Sequence, residues 1–395
     1  MKEIYFDHAA TTKLDERVLK KMLPYFTEYY GNANSQHGIG REAQKAVDEA
    51  RDEIATLIGA KPGEIYFTSG GTEADNWVLR GVCRALANKG KHVITTKIEH
   101  AAMLTTAKEL EKDGFEFTFI GVDKEGFVDL EELKKAIRPD TILISCMYAN
   151  NEVGTIEPIK EIVEIAHSHG ILCHTDAVQA MGAMRINVKD LGVDMMSFSA
   201  HKFNGPKGMG ALYIKTGVTV GRLISGGHQE RTRRGGTTNV PGVVGFAEAL
   251  RLTYETLDED AKYVSFLRDR FIKRVTEEIP YVKLNGPKDG TKRLPNNADF
   301  SFEYIEGESI LFSLDLAGIA VSSGSACSSG SLEPSHVLLA LGVPEELAHG
   351  SIRFTFGKEN TVEEVDYTVD KLKEIVDRLR KMSPLFKIDG EVKEV

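Results

Sequence analysis

Ile171-Leu172-Cys173-His174-Thr175-Asp176 and Met195-Met196-Ser197-Phe198-Ser199-Ala200-His201-Lys202 are two short apolar runs, each ending on a side chain able to do chemistry. Short runs of large apolar residues bounded by polar ones read as strands buried on both faces. The pattern recurs at Ile65–Thr68, Val93–Thr96, Phe115–Gly121, Ile142–Met147 and Ala211–Ile214. Between most of these runs lie amphipathic stretches such as Asn76–Leu86, Ala102–Glu111 and Ile159–His169. Strands alternating with helices predict an α/β fold with a mainly parallel sheet covered by helices on both sides. Ligands of such folds collect at the carboxyl ends of the strands. Asp176, Lys202 and the loop Thr68-Ser69-Gly70-Gly71-Thr72 all fall there.

Further along, a helical region follows Pro241 and runs to about Glu278, and the domain hinge is expected inside it. The division predicted is an N-terminal segment, 1–15, packing with a smaller domain; a large domain, 16–255; and a smaller α/β domain, 256–395. That last domain has strands near Ala298–Phe302 and Ile352–Phe356, a final helix near Glu363–Met382, and the loop that carries Cys327. The Ser/Gly tract around Cys327 has the composition of a mobile segment, and the polar residues from Lys387 onward are expected to fray.

The chain has 395 residues, 42% of them hydrophobic and 27% charged, enough to bury a cofactor in a sizeable core. Its net charge of −10 argues against nucleic acid as a direct partner. No apolar run is long enough to span a membrane, and the first residues lack a signal-peptide core. Four cysteines, Cys83, Cys146, Cys173 and Cys327, stand far apart in no metal-like pairing, which fits a reducing cytoplasm.

Each motif has a plain reading beside a chemical one. Ser69-Gly70-Gly71-Thr72-Glu73-Ala74 is either a turn capped by Thr72 or a phosphate cradle at a helix N-terminus. Without a following Gly-Lys-Ser/Thr it is not a Walker loop. Asp176 is a strand-end acid or helix cap, or else the partner of a pyridine nitrogen, with Gln179 one turn on beside the ring hydroxyl. Lys202, among Phe198, Phe203 and the Gly205-Pro206-Lys207-Gly208 turn, is a surface lysine or a Schiff-base lysine; the latter, with such an aspartate, is what pyridoxal 5'-phosphate requires. His100 is a cap-region histidine or stacks on that ring and shuttles a proton. Cys327 is an incidental loop cysteine or a thiol that attacks bound substrate and delivers the product elsewhere, whereas Cys83, Cys146 and Cys173 read as core thiols. Arg353 faces solvent or clamps a carboxylate. His167, His169, His174 and Asp176 cluster in sequence but match no common zinc spacing.

In order along nearly the whole chain stand Tyr5-Phe6-Asp7-His8-Ala9-Ala10-Thr11-Thr12, the Ser-Gly-Gly-Thr-Glu loop, Glu99-His100, Asn150-Asn151-Glu152-Val153-Gly154, Asp176-Ala177-Val178-Gln179, Ser199-Ala200-His201-Lys202, Arg234-Gly235-Gly236-Thr237, Ser323-Gly324-Ser325-Ala326-Cys327 and Ser351-Ile352-Arg353-Phe354. This set resembles the NifS/IscS-type cysteine desulfurases of the class V aminotransferase group, and the serine-rich Cys327 loop resembles the NifS and IscS subgroup. The resemblance implies PLP fold type I and a homodimer with sites at the subunit interface. Lys202 would form the Schiff base, His100 stack on the ring and Asp176 face its nitrogen. Gln179 and Asn151 would contact the ring side, and Gly71, Thr72, Ser199 and His201 the phosphate. Thr237 would reach the phosphate in the neighbouring subunit, and Arg353, with Asn34, would hold the substrate carboxylate.

The activity so implied converts L-cysteine to L-alanine and leaves a persulfide on Cys327. Its sulfur would pass to an acceptor such as an iron–sulfur scaffold protein, or serve tRNA thiolation. No resident metal is implied, Cys327 being at most a transient iron–sulfur ligand. The alternatives are a selenocysteine lyase or another class V PLP enzyme, a sulfur-transfer scaffold without activity, and a metal protein built on the histidines. The chain departs from common family wording at Gly70-Gly71, where Gly-Ala is frequent, and at Ala33-Asn34-Ser35, where Pro-Ser-Ser is frequent. Neither departure removes a needed side chain.

Overall fold

The computed structural model describes residues 3–323 and 333–386. Its main sheet takes the strands β2 (Ile65–Thr68), β3 (His92–Thr96), β4 (Glu116–Ile120), β5 (Thr141–Ser145), β6 (Leu172–Asp176), β7 (Met195–Ser199) and β8 (Gly210–Ile214), following β1 (Ile4–Tyr5), which lies elsewhere. The order across it is β2-β8-β7-β6-β5-β3-β4. Pairing is parallel from β4 through β7, while β8 runs antiparallel to both β7 and β2. The short connection 200–209 between β7 and β8 contains only a single 3-10 turn, so β8 returns beside β7 rather than crossing over behind a helix.

Successive side chains of a strand point to opposite faces, and here both faces are buried. Phe67, Ile144, Met196 and Ala211 enter one core. Their neighbours Tyr66, Leu143, Met195 and Leu212 enter another, against Ala74, Trp77 and Val78 of helix α1 (Gly71–Leu86). This is why these strands read as continuous apolar runs rather than alternating ones.

Helix α2 (Ala101–Lys112) follows β3, and helix α3 (Val240–Glu278) spans two cores. Val240 through Leu257 pack into the core of the main sheet. Val264, Leu267, Phe271 and Val275 pack into a separate core with Ile4, Phe6 and helix α4 (Val362–Met382). That core lies against an antiparallel sheet ordered β12-β10-β9, made of β9 (Val282–Asn285), β10 (Asn297–Phe302) and β12 (Ser351–Thr355). Strand β11 (Ile319–Ala320) pairs in parallel with β1, and Asp7 bridges to Thr355. Neither β9 nor β11 is visible as an apolar run. β9 is an edge strand with an exposed Lys283, and β11 has only two residues. Among the described residues no helix is long and apolar enough to cross a membrane.

Candidate active site

The carboxyl ends of β6 and β7 and the N-terminus of α1 open into one cavity of about 300 Å³. Gly71, Thr72, His100, Asn151, Asp176, Gln179, Ser199, His201, Lys202 and Arg353 all line it. Thr11, Ser69, Gly70, Gly71, Thr72, Ser199, His201 and Lys207 line an adjoining opening.

At the α1 end the N-cap is Gly70, with no side-chain hydrogen bond to the helix. Thr72 lies within the first turn, so it is not the cap that the turn reading allowed. The uncapped amides of a 16-residue helix are therefore available to an anion. This corner is crowded: a Cβ on Gly71 would lie 2.6 Å from the side-chain methyl Cγ2 of Val178, and one on Gly210 would lie 2.7 Å from the backbone of Gly70. Glu73, the acid of the first turn, is paired with Arg234 at 2.8 Å and accepts from the Ser69 amide, so its charge is spent locally. His201 Nδ1 lies 3.2 Å from Thr11 Oγ1, and burial together with Lys202 and Lys207 pushes its imidazole down to about 4. A neutral imidazole there can donate to an anion without a proton being taken up first.

At the other end Asp176 is 5% exposed and accepts from the Val178 amide at 2.8 Å. Burial pushes its carboxyl up, against the pull of that amide and of His100 and Lys202. Lys202 Nζ donates to the carbonyls of Ala9 (2.5 Å) and Ala10 (2.9 Å), and Gln179 Nε2 donates to Ala9 at 3.0 Å. His100 is both a cap and a cavity residue. Its Nδ1 accepts from the Ala102 amide at 3.1 Å as N-cap of α2. The neutral ring therefore carries its proton on Nε2. Burial holds the imidazole below its ordinary value, against the pull of Asp176.

Arg353, on β12, is 2% exposed. Nη1 donates to the Asn151 carbonyl and Nη2 to Asp7 Oδ1, both at 3.0 Å, while Nε has no partner among the described residues. A buried guanidinium with unspent donors suits a substrate carboxylate.

Two sequence candidates stay outside this lining. Asn34 and Thr237 are exposed in the single chain. Cys327 lies outside the described residues, but both flanks of its segment are tied to the cavity. Ser322 exchanges backbone hydrogen bonds with Arg353, the hydroxyl of Ser335 donates to Glu152, and His336 Nε2 lies 3.0 Å from the Glu99 carbonyl. The other cysteines are buried, and burial pushes the thiols of Cys83, Cys146 and Cys173 up, away from thiolate chemistry. The histidine cluster is dispersed: His167 pairs with Asp194 at 2.9 Å, and His174 lies between the hydroxyls of Ser145 and Ser197. Asp7, Asp75, Met147, Val178 and the carbonyls of Ala9 and Ala10 escaped the sequence reading. Asp75 alone left a signal, as a charge within the apolar stripe Ala74–Trp77–Val78.

These residues fit pyridoxal phosphate by their chemistry: uncapped helix amides beside closely packed glycines for a phosphate, a carboxyl for a ring nitrogen, and an amine lining the same cavity.

The chain matches the family model "Aminotransferase class-V" over residues 4–368. It is 55% identical to "Cysteine desulfurase IscS" of Dictyoglomus turgidum, covering 97% of each chain. A solved "NifS-like protein" is 42% identical, with a TM-score of 0.90 over 95% of this chain and 100% of that one. Another solved chain, "SspA in complex with cysteine", is 33% identical, with a TM-score of 0.79 over 91% and 100%. The chain belongs to the class V aminotransferase family and, within it, to the NifS/IscS-type cysteine desulfurases.

Proposed function

We propose that this chain is a pyridoxal-phosphate-dependent cysteine desulfurase that converts L-cysteine to L-alanine and leaves a persulfide on Cys327. The observation that carries the reading is one cavity holding the amine of Lys202, the carboxyl of Asp176, the imidazole of His100, the guanidinium of Arg353 and an uncapped helix N-terminus. When bound, the cofactor supplies an electron sink for the pair released as the substrate α C–H bond breaks. Gly71, Thr72, Ser199 and His201 would hold its phosphate, Asp176 would supply a negative charge to its ring nitrogen, and Gln179 and Asn151 would contact the ring. Arg353 holds the substrate carboxylate, which fixes where the α-hydrogen points.

Lys202 Nζ takes and returns the substrate proton, and His100 Nε2 is a second proton donor on the ring face. The Cys327 thiolate attacks the substrate sulfur, its C–S bond breaks, and the carbon is protonated to give alanine. One sulfur atom moves and no outside oxidant is needed. Ser322, which precedes the Cys327 segment, is anchored on Arg353 by two backbone hydrogen bonds, which supports a thiol supplied from this side of the cavity.

The reading extends to a homodimer with Thr237 contributed to the neighbouring site and Asn34 near the carboxylate pocket. It also includes division at 15/16 and 255/256, a cytoplasmic location, and an iron–sulfur scaffold protein as acceptor, with tRNA thiolation as a further outlet. The passage of α3 from one core into the other near residue 257 supports the second boundary. The test is to incubate purified protein with pyridoxal phosphate and L-cysteine. Alanine should form stoichiometrically with sulfide when a reducing thiol is present, and borohydride should fix the cofactor to Lys202. Cys327→Ser should keep the colour and stop sulfide release. A colourless protein, unmodified at Lys202, would sink the reading.

A further inference from the structure

Asp75 lines the cavity, yet none of the steps above uses it. It sits in the first turns of α1, is 1% exposed, and its Oδ1 has no hydrogen-bond partner among the described residues. Around it lies a closed polar set. The Ser197 hydroxyl, which pulls the Asp75 carboxyl down, lies 2.9 Å from His174 Nε2, while His174 Nδ1 is 2.8 Å from Ser145 Oγ. Both nitrogens of His174 are thus committed to hydroxyls, and burial pushes that imidazole down to about 3. Its 3.9 Å approach to Asp75 is therefore no ion pair. Among the described residues, the titratable groups bearing on Asp75 are Asp176, His174 and Glu99, none of them a cation. The cations of the site, Lys202 and His100 when protonated, act on Asp176, which also has the Val178 amide.

Two carboxyls in one dry site do not both ionise. The charge settles on the one with donors and cations around it, and the proton on the other. We propose that Asp75 is a positioning residue that carries a proton at neutral pH and, as a neutral acid, leaves Asp176 the sole negative charge facing the ring nitrogen. Burial and the Asp176 charge both push the Asp75 carboxyl well above the ordinary carboxylate range, in the direction this requires. An Oδ1 without a partner among the described residues is less costly to bury as part of a neutral acid than as an anionic oxygen. The positioning role rests on the proposed cofactor; the protonation does not.

Infrared spectroscopy of protein labelled with [13C]aspartate tests this. At about pH 7, where Asp299, raised by burial to about 7, keeps part of its own proton, the holoenzyme should show a labelled carboxylic-acid C=O band beyond the contribution of Asp299. Asp75→Asn should remove that band while leaving the cofactor dissociation constant within about twofold, since a neutral amide replaces a neutral acid. Asp75→Glu, unlabelled at that position, should also remove it, which covers failure of the first variant to fold. Absence of the band, its survival in either variant, or a tenfold or greater loss of cofactor affinity in well-folded Asp75→Asn would overturn the proposal. A colourless preparation that keeps the band would sink the cofactor reading instead.

Discussion

Lys202 and Asp176 reach the cavity from β7 and β6, neighbouring strands of one sheet with a shared register, whereas Arg353 arrives from the other core and bonds Asp7 across 346 residues of chain. One wall is set by backbone pairing and by strands buried on both faces. The other is set by a few hydrogen bonds among β12, residues 7–12 and the Asn151 loop. A wall fixed by the sheet keeps its shape when one functional side chain is lost. A wall held by reciprocal side-chain bonds is expected to lose position along with chemistry. Lys202→Ala tests the first half of this and has the largest expected effect: alanine formation should fall at least about 10³-fold with the melting temperature little changed. An equally large loss of stability would mean that the lysine's bonds to Ala9 and Ala10 hold the segment in place.

Arg353→Lys probes the opposite wall. A lysine cannot make the planar two-pronged contact or serve Asp7 and Asn151 together. Transition-state stabilisation should weaken by roughly 2–5 kcal/mol, seen mainly as a raised KM for cysteine. Asp7→Asn should do the same to a smaller degree and also lower the melting temperature, because it loosens the N-terminal segment. If Arg353→Lys left KM unchanged, Arg353 would be a strut between the cores and not a substrate contact.

This difference also explains what was legible in the sequence. Asp176 and Lys202 terminate apolar runs, so the strand pattern alone placed them together at the sheet edge that binds ligands. Gly70-Gly71 announced a tight corner, although the cap proved to be Gly70 rather than Thr72. Arg353 alternates with apolar neighbours, and nothing local says which face of β12 meets the cavity; the family resemblance supplied that. The partners Asp7 and the carbonyls of Ala9 and Ala10 are invisible to any local rule, because backbone acceptors carry no sequence signature and the contact is long-range. Strand β8 shows the same limit: its apolar run was plain but its direction was not.

The two walls also share buried acids. Glu99 and Glu157 on the main-sheet side and Glu152 beside Ser335 are each pushed up to about 8 by burial, and Asp299 on β10 to about 7. Above the ordinary carboxylate value near 4.3 the unfolded chain releases protons that the folded chain keeps. Folding is therefore progressively disfavoured as pH rises from about 4.5 to about 8, and the dependence flattens above that. The melting temperature should be higher at about pH 5.5 than at about pH 8. Glu152→Gln should reduce this slope on the long-range wall, and Glu99→Gln on the sheet wall. A melting temperature that rises over this interval would mean that the acids are ionised when folded.

The smallest effect sharpens the sheet wall itself. Gly71 stands where the family often has alanine, and Val178 Cγ2 lies 2.6 Å from where that alanine's Cβ would sit. The methyl of Val178 fills this space, so glycine at 71 and valine at 178 are one packing decision. Gly71→Ala should overpack the corner by about 1–3 kcal/mol, shift the helix amides, and weaken cofactor binding about tenfold if about 1.4 kcal/mol of that falls on the bound state. Val178→Ala alone should change affinity little, since it removes two methyl groups at the cavity edge and no donor. The double variant should return most of the lost affinity, because the new Cβ then has room. If Gly71→Ala binds as tightly as the parent, the corner yields by backbone movement, and the sheet wall is softer than its register implies.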